Sequence, residues 1–255
     1  MTEPPSELRL LGLAGIPEVR PGDDLERLIG DAIDAAGLEL LGDDIVVVTH
    51  KIVSKSEGRL VDLTTVTPSA LARRFATEWE KDPRQVEVVL RESERIVRME
   101  RGIIIAETAH GLICANAGVD ASNVAPDVVC LLPRDPDASA DRIRTALESR
   151  FGVAPGVVIS DSFGRPWRAG IVNVAIGVAG LAPLADYRGK FDEAGYEMHV
   201  TVLAVADELA SAAELVMHKL TARPVVVIRG YQPPTAMPPG TARDLILDPA
   251  RNLFR

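Results

Sequence analysis

Apolar positions along the chain follow two periods, and the switches between them outline the fold. β-branched or aliphatic runs at residues 8–13, 59–63, 96–99, 103–107, 112–117, 128–132, 157–159, 171–179 and 224–229 read as strands, several of them continuous enough to be buried on both faces. Residues 44–55 read as a further buried strand that runs into alternating polar residues, and residues 197–206 as a long strand leading straight into a helix over 207–220. Helical spacing governs Leu25, Leu28, Ile29, Ala32, Ile33 and Ala36, after the start signal Pro21-Gly22-Asp23-Asp24 and before a stop at Gly37. It returns in two helices across 69–90, in 139–151 with Gly152 as its stop, and in a short helix at 242–246. His110-Gly111 reads as a hairpin turn.

Polar chemistry gathers where strands give out. The run Val157-Val158-Ile159 passes into Ser160-Asp161-Ser162-Phe163-Gly164-Arg165, where a carboxylate and a hydroxyl can ligate a hard cation and Arg165 and Arg168 can meet phosphate or carboxylate groups. The alternative is an Asp capping a turn beside a solvated arginine pair. A second stretch, Gly118-Val119-Asp120-Ala121-Ser122-Asn123, has the same character, with an ordinary Asx-turn as its alternative. Two Asp-bearing strand ends, Asp120 and Asp161, make a shared metal ion a sharper expectation than either alone. His50, Lys51 and Lys55 follow the 45–49 run and read either as a charged strand end or as a solvated lysine pair with a hydrogen-bonded His.

Composition narrows the partners. With 255 residues and 47% hydrophobic content the chain can bury a large core, as one domain or two intimately joined ones. A net charge of -9, with 4% aromatics, gives no basic field and few stacking surfaces, which argues against nucleic acid. No apolar run is long enough to span a membrane, and the acidic, Pro-containing start has no signal-peptide pattern, so a cytoplasmic protein is expected. Cys114 and Cys130 lie in apolar runs without metal-ligand spacing and read as buried thiols. No Walker-type Gly-x-x-x-x-Gly-Lys run exists, so any nucleotide needs a different cradle.

Four ordered stretches, Val48 to Lys55, Gly118 to Asn123, Ser160 to Arg165 and Asp207 to Met217, together resemble the coenzyme F420:L-glutamate ligase family over about residues 8–229. The resemblance implies an α+β fold with mixed and antiparallel sheets, flanking helices and two closely joined lobes. It makes residues 1–255 a single ligase domain, with 231–255 as a tail or linker, and the ligase part only of relatives that carry a further reductase-like domain. It implies a homodimeric GTP-dependent enzyme that joins L-glutamate to the lactyl-phospho carboxylate of coenzyme F420-0, or extends F420-1, and that uses two divalent ions (Mg2+ or Mn2+) and K+. Residue by residue, Ile16, Pro17, Glu18, Val19, His50, Lys55, Asn123 and Met217 match nucleotide contacts. Asp120, Asp161 and Ser162 match metal ligands, and Lys55 and Arg165 join the two aspartates as candidates for neutralising transferred charge. The rival readings are a nucleotide- or metal-binding regulatory module and a ligase for another carboxylate acceptor. The chain departs from the family at His50, at Ser162 in place of Thr, and at Lys219, where some members carry a Gln that helps hold the second metal. An ammonium cannot ligate, so water is expected to complete that second site.

Overall fold

The structure is a computed structural model describing residues 7–233 and 237–253. The acidic start at 1–6, part of the Pro-rich segment at 234–236, and 254–255 lie outside the described residues. The strands are β1 (Arg9–Leu13), β2 (Ile45–Thr49), β3 (Leu60–Asp62), β4 (Arg95–Glu100), β5 (Ile103–Glu107), β6 (Ile113–Ala115), β7 (Val128–Cys130), β8 (Gly156–Arg165), β9 (Arg168–Ala179), β10 (Ala185–Asp186), β11 (Val202–Leu203) and β12 (Val225–Arg229). The helices are α1 (Leu25–Ala35), α2 (His50–Ser56), α3 (Ala70–Trp79), α4 (Pro83–Arg91), α5 (Pro136–Phe151) and α6 (Val205–Met217). The fold is α+β, as the family resemblance implied.

A five-stranded sheet in the order β1-β12-β2-β8-β9 forms the centre, parallel only between β2 and β8. The strand period of two assigns its side chains to two cores. Val46, Val48, Val157, Ile159, Val225 and Val227 join Ile29, Ile33, Ile143 and Leu147 of α1 and α5 on one face. Ile45, Val47, Val158, Val226 and Ile228 join Leu209, Ala210, Ala213 and Met217 of α6 on the other. Burial on both faces explains why these strands read as unbroken apolar runs.

Between α2 and α5 the chain makes an excursion that packs around a third core. Leu63, in the short 3-10 turn after β3, closes it with Phe75, Val86, Val89, Ile104 and Val129 from α3, α4, the β4-β5-β6 sheet and the β3-β7 pair. The C-terminal segment is seated on the main body: Ala242 is buried, its N–H donates to Asp137 Oδ1 at 2.8 Å, and Ile246 packs on the first core.

Three predicted elements change. The strand expected over 44–55 ends at Thr49, whose Oγ1 accepts from the Lys51 N–H and starts α2, so His50 and Lys55 are helical residues. Val200, expected within a strand over 197–206, is 86% exposed; Val202 and Leu203 pair with β10, Glu197 makes a single bridge to Phe191, and the backbone of Met198 and Thr201 bonds to the 187–190 loop instead of to a strand. β8 does not stop at Asp161. It outruns β2, whose last partner is Ser160, and continues against β9 as a hairpin to Arg165.

Candidate active site

The parallel pair β2 and β8 ends with Thr49 beside Ser160, and α2 begins at the next residue. Consecutive side chains in the first turn of α2 hold the two aspartates singled out from the sequence. His50 Nε2 lies 3.2 Å from Asp161 Oδ1, and its Nδ1 is 3.3 Å from Ser54 Oγ. Lys51 Nζ donates to Asp120 Oδ2 at 2.7 Å and to Ser122 Oγ at 2.6 Å. Asp120 is fixed from three sides. Its backbone exchanges hydrogen bonds with Cys130 at 2.9 and 2.8 Å, and its Oδ1 accepts from the Ser122 N–H at 2.6 Å. That last bond is the Asx-turn weighed as the plain reading; the aspartate makes the turn and pairs with Lys51 as well. Burial pushes the Asp120 carboxyl up, but the Lys51 ammonium and the Ser122 N–H outweigh it and hold the carboxyl below its ordinary range.

Neither lysine of this helix is solvated. Lys55 is 6% exposed and pairs with Glu18, which ties the 16–19 loop to α2. Within that loop Val19 is buried in the first core, Ile16 packs against it, and Pro17 and Glu18 face solvent. The residues matched to nucleotide contacts in the loop and on α2 are therefore joined by an ion pair.

The other sheet face carries a second polar group. Ser162 follows Asp161 on the strand, so it projects the opposite way, toward α6. Its Oγ donates to Asn173 Oδ1 at 2.7 Å, Asn173 Nδ2 donates to Glu214 Oε2 at 2.8 Å, Lys219 Nζ donates to Glu214 Oε1 at 3.0 Å, and Lys219 Nζ returns to Ser162 Oγ at 2.6 Å. The four residues form a closed ring, with Asn173 buried between strand and helix. Asp207 in the first turn of α6 accepts from the Ala175 N–H at 2.8 Å, and Ser211 Oγ donates to the Asn173 carbonyl at 2.7 Å. These bonds hold α6 against the bulged edge strand β9.

The remaining predicted residues lie apart from these contacts. Arg165 is in the β8-β9 hairpin, where its Nη2 is 3.3 Å from the Ala169 carbonyl and its Nε is buried without a hydrogen bond. Asn123 is exposed in a left-handed conformation. The Met217 side chain is buried in the second core, at the end of α6. Asn173 and Glu214, which these networks contain, were not singled out from the sequence, and Lys51 was weighed there only with Lys55 as a charged strand end or a solvated pair. The available signal was strongest for Asn173, an amide inside the otherwise apolar run at 171–179.

Asp120 and Asp161 offer carboxylate oxygens of the kind a hard divalent ion takes, and an ion on Asp120 Oδ2 would share it with or displace the Lys51 ammonium. Among the described residues no three His, Cys, Asp or Glu side chains form a ready metal cage. Ser162 does not fit the same role. Its hydroxyl proton is directed to Asn173, and its oxygen already accepts from the Lys219 ammonium.

Known proteins share much of this sequence. Over 241 residues, 93% of this chain and 94% of the relative, the chain is 46% identical to the coenzyme F420:L-glutamate ligase of Methanopyrus kandleri. It is 46% identical over 225 residues, 88% and 89% of the two chains, to the protein of that name from Methanothermobacter thermautotrophicus. The identity is 44% over 213 residues, 83% and 84%, with that of Methanocaldococcus jannaschii. The protein is thus an enzyme of the ligase class. Residues 14–230 match the model of the F420-0:gamma-glutamyl ligase family, and the chain belongs to that family.

Proposed function

We propose that the protein forms the amide bond between L-glutamate and the side-chain carboxylate of coenzyme F420-0 at the expense of GTP. The observation that carries the reading is the docking of Asp161 and Asp120 on the consecutive residues His50 and Lys51, at the carboxyl end of the parallel strand pair. A carboxylate does not condense with an amine unaided, because oxide is its leaving group. The γ-phosphoryl group of GTP therefore passes to a carboxylate oxygen, which gives an acyl phosphate and GDP. The glutamate amine then attacks the acyl carbon, phosphate departs with the C–O bond, and the amine releases a proton to solvent.

Phosphoryl transfer is mainly positioning and charge neutralisation. A divalent ion held by Asp120 and Asp161 would supply Lewis-acid polarisation of the phosphate oxygens. Lys55, kept close to the 16–19 loop by Glu18, brings a cation to the segment proposed to line the nucleotide, and Lys51 fixes the Asp120 carboxylate in one orientation. Arg165 is proposed as a guanidinium partner for a substrate carboxylate or phosphate, since its Nε has no protein acceptor. The family likeness extends the reading to potassium, to F420-1 as a further acceptor, to pairing of two chains and to a cytoplasmic setting; no helix among the described residues is long and apolar enough to cross a membrane.

The test is mass spectrometry of the deazaflavin after incubation with GTP, glutamate and Mg2+. The wild type is expected to add one glutamate mass, with Asp120→Asn and Asp161→Asn each losing at least about 100-fold in rate while still folded by circular dichroism, as is common when a group that stabilises transition-state charge is removed. Full turnover by both variants would remove the metal role from these residues. A wild type that binds GTP and adds no glutamate would remove the ligase reading.

A further inference from the structure

Lys51 reaches one of the two aspartates, Asp120, while Asp161 faces His50; in the closed ring around Ser162 a single ammonium, that of Lys219, meets both Ser162 and Glu214. We propose that the Lys219 ammonium is a tethered substitute for a second divalent ion, so that this enzyme works with one metal ion per active site. The inference rests on the proposed function and deepens it.

Three features support it. The first is the donor set. Ser162 Oγ and Glu214 Oε1, the oxygens a hard ion would use here, both face Lys219 Nζ, at 2.6 and 3.0 Å; the same Ser162 Oγ donates to Asn173 Oδ1, and Glu214 Oε2 accepts from Asn173 Nδ2. A metal could enter only by displacing the ammonium and leaving it beside a like charge. The second is the backbone. His218 ends α6 with φ 49 and ψ −178, which turns the chain so that Lys219 folds back over the last helical turn. The carboxyl end of a helix carries partial negative charge and favours a cation there. The third is rigidity in the support. Asn173 is 4% exposed, and its backbone carbonyl is held by Ser211, so the amide that orients both Ser162 and Glu214 is itself fixed. Water completing a metal site, the expectation from sequence, is not needed when the charge is covalently attached.

A single charge held by a side chain replaces a double charge that must be bound from solution. The consequence is a change of stoichiometry that can be counted. Manganese is titrated into the intact protein with saturating GDP, and bound and free Mn2+ are separated by electron paramagnetic resonance. Wild type is expected to saturate at one ion per chain. Lys219→Gln, which removes the charge and supplies an amide oxygen, is expected to saturate at two, with the spin coupling of neighbouring Mn2+ ions. Lys219→Arg, which keeps a cation, is expected to stay at one. Circular dichroism melts accompany each variant, and Lys219 is exposed enough for all to fold. Two ions on the wild type, or one on Lys219→Gln, would overturn the substitution while leaving the ligase reading intact. No bound ion on the wild type would overturn the metal role of Asp120 and Asp161, and this inference with it.

Discussion

Asp207 is a carboxyl group whose surroundings work against its charge. Burial is the largest influence and raises its pKa; the Ala175 N–H opposes this, and Glu208 adds to it. A group whose folded pKa lies above its unfolded value binds more protons in the folded state. Stability therefore falls as pH rises from the unfolded value, about 3.9, through the raised folded value, and the deficit persists above that window. The Ala175 bond needs only an oxygen acceptor, not a charge. Asp207→Asn is thus expected to melt no lower than wild type at pH 7, with the difference shrinking below pH 4. Asp207→Ala, which orphans a buried N–H, is expected to lose about 1–3 kcal/mol at both pH values. Thermal melts across pH 3 to 8 make the comparison, and an Asn variant as damaged as the Ala variant would show that the charge itself holds α6 to β9.

At the scale of elements, the contact between β9 and α5 depends on a missing side chain. A Cβ at Gly177 would lie 2.6 Å from the Pro136 carbonyl carbon and would also meet its oxygen, so Gly177→Ala has to push the first turn of α5 outward. That turn carries Asp137, whose Oδ1 accepts from Val178 and Ala242 N–H groups at 2.8 Å each. Urea denaturation should register a loss of about 1–3 kcal/mol, the usual range for overpacking. Gly164→Ala, where nothing lies within 4 Å, should stay within about 0.5 kcal/mol. The same scale separates what sequence could and could not disclose. The central strands and α1 were legible because burial on one or two faces writes its period into the chain. α2 was not, since a seven-residue helix that buries His50, Ser54 and Lys55 shows no apolar stripe. The two aspartates were visible as polar breaks after apolar runs. Their pairing with His50 and Lys51 was not, because the contact of Lys51 with Asp120 spans 69 residues and exists only once the excursion returns as β7.

At the scale of the molecule, the order of the central sheet joins the ends of the chain. β12, near the C-terminus, lies between β1, near the N-terminus, and β2, and pairs antiparallel with both. Its outer end is fixed by the ion pair of Arg229 with Asp44, a carboxylate with no exposure to solvent. Val225 to Ile228 contribute side chains to both faces of the sheet, so they belong to the first and second cores at once. A chain ending at Pro224 would lack the strand that connects β1 to the rest, would expose Val46 to Val48 along an unpaired edge, and would leave Asp44 buried without its cation. Each of these losses alone costs several kcal/mol, comparable to the whole stability of a domain. The truncated chain is therefore expected to show no cooperative urea transition in the signal of the central sheet. A chain ending at Gly230 should keep one, because it retains every strand of that sheet. A cooperative transition of normal midpoint in the shorter chain would mean that β2, β8 and β9 stand as a sheet without the strand that closes it.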